Sequence, residues 1–121
     1  MEPVKSFTID RAKWLHGEGD CSSFLLRASD DKQCCLGFYL ESCGIPRDKL
    51  ENRASPGNIA FFGGVQLPEW LLNIGTLLHS DEASALMVEN DTIVKSDFYR
   101  EAAIIAGFAK VGITVTFTGE Y

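Results

Sequence analysis

The chain has 121 residues, of which 45% are hydrophobic and 23% charged, and this length and balance predict a single globular domain over residues 1–121. Seventeen acidic residues against eleven basic ones give a formal net charge of -6, which argues against general nucleic-acid binding, because such binding depends on clustered lysine and arginine. No apolar run has the length of a signal peptide or a membrane span, so we expect a cytoplasmic protein with no membrane partner.

The first part of the chain predicts two strands joined through a helical turn. Residues 4–9 predict the first strand, and Asp10 follows as the N-cap of a short helical turn, because its carboxylate can accept from the amides of that turn. Residues 23–28 predict a second strand, which ends in a turn of Ser29, Asp30 and Asp31.

The middle of the chain predicts buried helices separated by loops. Residues 33–43 carry apolar side chains at helical spacing, and Gly37 predicts the close approach of a neighbouring segment. Residues 46–57 predict a polar surface loop, and residues 59–62 a brief strand. Three further features are then predicted: a helix that begins at Pro68, a helical turn that begins at Ser80, and a turn built by Asn90 and Asp91.

The last third of the chain predicts one helix that leads directly into one strand. Ser96 suits the N-cap and Gly112 suits a left-handed C-cap. Residues 113–117 alternate apolar residues with threonine, which is typical of a half-buried strand. Three- and four-residue steps define the helix face that we expect to be buried, namely Phe98, Ala102, Ile105, Phe108 and Val111.

These elements together predict an α+β fold. Strands occur at both ends of the chain and helices lie between them. We therefore expect a small, mostly antiparallel sheet of roughly three to five strands with helices packed on one face.

The cysteines and the missing catalytic motifs argue against metal chemistry and catalysis. Zinc sites need converging pairs of soft ligands, whereas Cys34 and Cys35 are adjacent and point in different directions on a helix. The chain contains no phosphate-binding loop, nucleophile elbow or zinc-protease motif. We therefore predict buried thiols, no metal, no cofactor and no catalytic residue, and an enzyme is the less favoured interpretation.

Two groups of residues predict a ligand-binding site. In the first, Trp14 can stack on a base while Arg11 and Lys13 contact phosphate. In the second, an amide, a carboxylate and a guanidinium near one turn can recognise a nucleobase edge or a ribose. The alternative is structural: a core tryptophan beside solvated cations, and a turn beside a surface ion pair. The predicted ligand-binding residues are Arg11, Lys13, Trp14, Arg27, Asn90, Asp91, Tyr99 and Arg100.

Motifs at both ends and in the middle of the chain form one pattern. They are FTIDRAKW at residues 7–14 with Gly17 and Glu18, CCLGF at residues 34–38, Asn90 with Asp91, Arg100 with Glu101, and GITVTF at residues 112–117. Together they resemble a group of small proteins encoded by tailed bacteriophages. The resemblance implies infection of a bacterium as the setting, host cytoplasm as the location, and host takeover or counter-defence as the role.

Three functions remain open at this stage. The first is sequestration, without cleavage, of a nucleotide-derived host immune signal such as a cyclic dinucleotide or an ADP-ribose derivative, at a subunit interface of a homo-oligomer. The second is inhibition of a host defence enzyme such as a CRISPR effector, which the acidic balance and the apolar residues 61–72 favour. The third is hydrolysis of the same nucleotide signals.

Overall fold

A computed structural model describes residues 4–16, 24–53, 69–71, 81–91 and 96–120 of the chain. Within these ranges the protein is a mixed α+β fold with short 3₁₀ turns at Arg11–Lys13 and Glu69–Leu71. The regular elements, in chain order, are strand β1 at Ser6–Asp10, helices α1 at Cys35–Ser42, α2 at Arg47–Leu50, α3 at Asp81–Asp91 and α4 at Asp97–Ala109, and strand β2 at Thr114–Thr118.

The two strands pair in parallel, with Ser6 opposite Thr114 and Asp10 opposite Thr118. The prediction of a mostly antiparallel sheet is therefore wrong. Antiparallel neighbours are commonly joined by short hairpins, whereas here every described helix lies between the strands. The chain crosses over through these helices and returns in the same direction.

The core lies on one face of this sheet. Phe7 and Ile9 of β1 and Val115 of β2 are buried, while the alternate residues of both strands are exposed. The Phe7 ring contacts Tyr39 of α1 and Phe108 of α4, with centroids 5.5 and 5.0 Å apart. Helices α1 and α4 therefore pack on the same side of the sheet, and the burial pattern confirms the alternation that was predicted for β2.

Helix α1 confirms the predicted close approach at Gly37. A Cβ atom at this position would lie 1.9 Å from the carbonyl oxygen of Leu25, so only glycine fits. Gly44 follows the end of the helix, and its φ of 95° is the left-handed conformation that terminates helices.

Two predictions for the first half of the chain are wrong. The described residues 24–28 form isolated bridges, Leu26 with Glu51 and Arg27 with Lys32, and no regular strand. The predicted loop over residues 46–57 contains α2, which begins after Pro46 and buries Leu50. A proline that precedes a helix fixes its entry angle, and this effect of Pro46 outweighs the polar composition.

Several predictions fall outside the described residues. They are the strand over residues 59–62, the start of a helix at Pro68 and the start of a helical turn at Ser80. Of the predicted helix after Pro68, the structure describes the 3₁₀ turn at Glu69–Leu71. Ala83 and Leu86 lie in α3 and are buried.

Helix α4 lies between the predicted end signals, but the side of the helix that is buried differs from the predicted one. It follows Ser96 at the N-cap position, and Gly112 has a φ of 80°. Arg100, Glu101, Ile104 and Phe108 are buried, whereas Phe98, Ala102 and Ile105 are exposed. The prediction of the buried face is therefore wrong for these last three residues. The physical reason is that both buried charges are compensated, Glu101 by Arg11 and Arg100 by Asp97 of the same helix.

Candidate functional site

Trp14 lies inside the protein and does not form a surface for stacking on a ligand. The residue is 3% exposed, and its Nε1 donates to Oδ1 of Asn90 at 2.9 Å. Its ring stacks on His16 with centroids 3.8 Å apart and contacts Phe117 at 4.9 Å. These contacts favour the structural interpretation of Trp14.

Asn90 is a fully buried amide that joins three segments. Besides the bond from Trp14, its Oδ1 accepts from the backbone amide of Cys35 at 3.0 Å, and its Nδ2 donates to the carbonyl oxygen of Leu15 at 2.8 Å. The prediction that Asn90 and Asp91 build a turn is wrong, because both lie in α3. Of Asp91 the structure describes only the helical backbone.

Two of the predicted arginines make ion pairs with nearby carboxylates. Arg11 donates from Nε and Nη2 to the two carboxylate oxygens of Glu101, each at 2.8 Å, and from Nη1 to the carbonyl oxygen of Gly119. Arg100 is buried in α4, and its Nη1 donates to Oδ1 of Asp97. The Arg11 guanidinium therefore holds α4 against the ends of both strands, whereas Arg100 pairs with a carboxylate of its own helix.

Arg27 makes a local ion pair in the turn before α1. Its Nε and Nη2 donate to the carboxylate of Asp30 at 3.0 and 2.6 Å. The hydrogen bond from Arg27 lowers the pKa of Asp30 from its ordinary value to about 2, so this pair is charged at neutral pH. Arg27 and Asp30 thus stabilise the tight turn that returns the chain to Lys32.

Tyr99 and Lys13 are the exposed members of the predicted set among its described side chains. Tyr99 lies on the outer side of α4, where its ring meets Phe98 edge to face. Lys13 ends the 3₁₀ turn that follows β1. The structure therefore does not bring the eight predicted residues to one concave site, although it places Lys13 beside a groove.

This groove, which we call the Lys13 groove, lies where the 3₁₀ turn meets α1 and α2. It is an open depression of about 360 Å³. A volume of this size falls in the range of roughly 300–1,000 Å³ that small-molecule sites occupy. The residues that line it are Lys13, Gln33, Phe38, Glu41, Ser42 and Arg47.

Gln33 carries the most informative feature of the Lys13 groove. The residue is 2% exposed, and its Nε2 has no hydrogen-bond partner in the structure. Its backbone is held in place, because its amide donates to the Lys13 carbonyl oxygen and its carbonyl oxygen accepts from the Leu15 amide, both at 2.8 Å. A buried donor without a partner costs on the order of 1–3 kcal/mol. This nitrogen has less than 1 Å² of accessible surface, so a ligand in the groove could accept from it only after the side chain turned outward.

The cationic side of the groove comes from Arg47 and Lys13. Arg47 donates to both carboxylate oxygens of Glu41, at 2.9 and 3.2 Å, and lies 3.3 Å from the carboxylate of Asp31. The hydrogen bond that Arg47 donates to Glu41 raises the pKa of Arg47 above its ordinary value, so the guanidinium is charged at every physiological pH. In the described part of the chain, the Lys13 ammonium forms no ion pair.

Among the described residues, no three His, Cys, Asp or Glu side chains form a group that could hold a metal ion. Cys34, Cys35 and Cys43 are buried, as predicted. No helix in the described ranges is both long and apolar enough to span a membrane.

Comparison with protein-family models, curated proteins and solved structures found no match to this chain. The bacteriophage resemblance therefore stays a prediction. The structure itself defines the protein as a mixed α+β fold with a parallel β1–β2 pair and a polar surface groove.

Sequence reasoning missed Gln33 and Arg47. Arg47 lies in the segment that was predicted to be a loop, but the Pro46 before it is a helix-start signal that could have identified α2. Gln33 carried no such signal. Its burial depends on backbone bonds to Lys13 and Leu15, which only the folded chain reveals.

Proposed function

We propose that this protein binds a small phosphate-bearing ligand in the Lys13 groove and holds it without cleaving it. The ligand class is a nucleotide-derived immune signal, such as a cyclic dinucleotide or an ADP-ribose derivative, and the role is counter-defence during bacteriophage infection. The observation that carries the proposal is that the Lys13 ammonium, which forms no ion pair among the described residues, lines a groove of about 360 Å³.

Each part of such a ligand finds a matching group in the groove. The Lys13 ammonium suits phosphate oxygens, because charge-assisted hydrogen bonds are the strongest that proteins form, whereas the Arg47 guanidinium is already paired with Glu41 and Asp31. The half-buried ring of Phe38 offers an apolar surface to a base. Ser42 and Gln33 add a hydroxyl group and an amide for a ribose or a base edge.

The groove is better suited to binding than to hydrolysis. Its carboxylate, Glu41, accepts two hydrogen bonds from Arg47, so its oxygens are not placed to activate a water molecule. Ser42 donates its hydroxyl proton to the carbonyl oxygen of Phe38 at 2.9 Å rather than to a base. Sequestration is therefore the function that these contacts favour.

Isothermal titration calorimetry tests the proposal with three probes: cyclic di-GMP, ADP-ribose and inorganic pyrophosphate. We expect heat with at least one of them and weakening of about tenfold or more in Lys13→Met, because one charge-assisted contact is lost. Lys5→Met removes an exposed lysine outside the groove and serves as the matched control. Gln33→Leu, which removes the amide and keeps its volume, should also weaken binding.

Two results would overturn the proposal. One is the absence of heat with all three probes, and the other is binding that Lys13→Met and Lys5→Met reduce equally. Chromatography of the recovered ligand separates capture from hydrolysis. An intact ligand supports sequestration, whereas turnover would favour the hydrolase alternative.

A further inference from the structure

Gln33 is buried in a way that destabilises the folded protein. The residue is 2% exposed, and its Nε2, with less than 1 Å² of accessible surface, donates to no acceptor. A buried donor has lost its hydrogen bonds to water, so leaving it without a partner is unfavourable. The buried amide of Asn90 has no such defect, because its Oδ1 and its Nδ2 both form hydrogen bonds.

The backbone of Gln33 is fixed, but its side-chain amide is not. The backbone amide donates to the Lys13 carbonyl oxygen and the carbonyl oxygen accepts from Leu15, in a short parallel bridge with Trp14. Among the described residues, no hydrogen bond holds the side-chain amide in its inward orientation. The last torsion of a glutamine is broad, with two favoured orientations. The nitrogen can therefore turn towards the groove, which Gln33 lines, without any movement of the backbone.

The missing hydrogen bond weakens the preference of Gln33 for its inward orientation. Inward, Nε2 meets neither water nor an acceptor, whereas outward it meets whatever occupies the groove. A ligand shifts an equilibrium between two orientations by the difference in its affinity for them. A ligand oxygen that accepts from the outward nitrogen therefore draws the side chain out.

Lys13 determines which kind of acceptor comes within reach of Gln33. A backbone hydrogen bond of 2.8 Å joins the two residues, and both line the same depression of about 360 Å³. The Lys13 ammonium forms no ion pair among the described residues, and such a group favours an anionic partner. A phosphate group carries several acceptor oxygens, so one oxygen can bind Lys13 while another accepts from Gln33.

We propose that Gln33 is a specificity-determining residue of the Lys13 groove, whose amide turns outward when a phosphate group binds at Lys13 and donates to a second oxygen of that group. This inference rests on the proposed function and adds a conformational step to it. The amide destabilises the free protein and strengthens the complex, so its two effects have opposite signs. A residue with a packing role alone would not show this opposition.

Gln33→Leu separates the two effects, because leucine fills a similar volume and has no polar side-chain atom. Thermal melts of the ligand-free protein should show a melting temperature that is higher by about 3 °C or more, since the unbonded donor is gone. Asn90→Leu is the matched control, because it removes a buried amide whose hydrogen bonds are formed. It should lower the melting temperature.

Isothermal titration calorimetry measures the second effect with cyclic di-GMP, ADP-ribose and inorganic pyrophosphate. For each probe that binds the unmodified protein, we expect Gln33→Leu to weaken binding by about tenfold. Nuclear magnetic resonance follows the turn itself. The side-chain amide signals of Gln33, assigned by their disappearance in Gln33→Leu, should shift when the unmodified protein is saturated with the probe.

Three outcomes would overturn the inference. They are a lower melting temperature of Gln33→Leu, an unchanged affinity of this variant for every probe that binds, and amide signals that do not move at saturation. Each of them leaves the proposed function intact, because the unmodified protein still binds its ligand at Lys13. Absence of heat from the unmodified protein with all three probes would instead refute the proposed function and the inference together.

Discussion

The indole Nε1 of Trp14 lies 2.9 Å from Oδ1 of Asn90, a residue 76 positions later in the chain. The same oxygen accepts from the Cys35 amide at the start of α1. One amide oxygen therefore connects α3, α1 and the segment after β1. The pairing of β1 with β2 does not join these three parts of the chain.

Asn90→Ala should lower the free energy of unfolding by about 3 kcal/mol, because it leaves several buried polar groups without a partner. A double-mutant cycle with Trp14→Phe isolates the indole bond, for which we expect a coupling of about 1 kcal/mol. Urea denaturation measures all four proteins. Strictly additive effects of the two substitutions would contradict an interaction between the side chains.

Glu101→Gln should destabilise the fold by about 3 kcal/mol, because it leaves Arg11 with a partly buried charge and no carboxylate. Arg27→Met removes the local pair with Asp30, which is more exposed, and should have a much smaller effect. The midpoints of urea unfolding compare the two variants. If both variants lost the same free energy of unfolding, the contact between Arg11 and Glu101 would contribute no more to stability than the local pair of Arg27 and Asp30.

Gly37→Ala should cost more than about 3 kcal/mol or prevent folding, because the new Cβ would overlap the carbonyl oxygen of Leu25. Gly107→Ala is the matched control within another helix. There the new atom meets the flexible end of Leu86 at 2.8 Å, and alanine gains about 1 kcal/mol of helix propensity. Soluble yield and thermal melts measure both variants, and a stable Gly37→Ala protein would contradict the close approach.

Burial raises the pKa of the Tyr39 hydroxyl, which also accepts a hydrogen bond from Nε1 of Trp70 at 3.2 Å. The folded protein thus keeps this proton at a pH where the unfolded chain loses it. The free energy of unfolding should therefore fall as the pH rises above about 10, the ordinary value for tyrosine.

Tyr39→Phe should remove this part of the alkaline dependence and leave stability at pH 8 lower by about 1 kcal/mol, because the bond from Trp70 is lost. Melting temperatures from neutral pH to about pH 11 provide the measurement. An unchanged alkaline slope in the variant would count against Tyr39 as its source.

Local sequence signals predicted where the helices with clear caps begin and end. Long-range contacts determined which side of each helix is buried, which those signals do not specify. Ser96 occupies the N-cap position, although its side chain makes no capping hydrogen bond, and Gly112 has the left-handed conformation that ends a helix through its nearest backbone groups. The buried side of α4 was missed because Arg11 reaches Glu101 across 90 positions, and no local pattern encodes that pair.

For the candidate site, too, local signals predicted some residues and long-range packing determined the others. The structural interpretation of Trp14 as a core residue was available from the sequence and agrees with its burial. Lys13 was predicted as a phosphate contact and does line the groove, but its neighbours Gln33 and Arg47 come from segments that local reasoning assigned elsewhere. Clefts depend on how elements pack, so a motif search along the chain finds only their most distinctive members.

The bidentate contact between Arg11 and Glu101 fixes how α4 is rotated about its own axis. Rotating this helix far enough to hide the Phe98 ring would carry the Glu101 carboxylate away from its guanidinium partner and strand a charge in the interior. The exposure of Phe98 and Tyr99 on α4 thus follows from the fold of a single chain and does not depend on any binding partner.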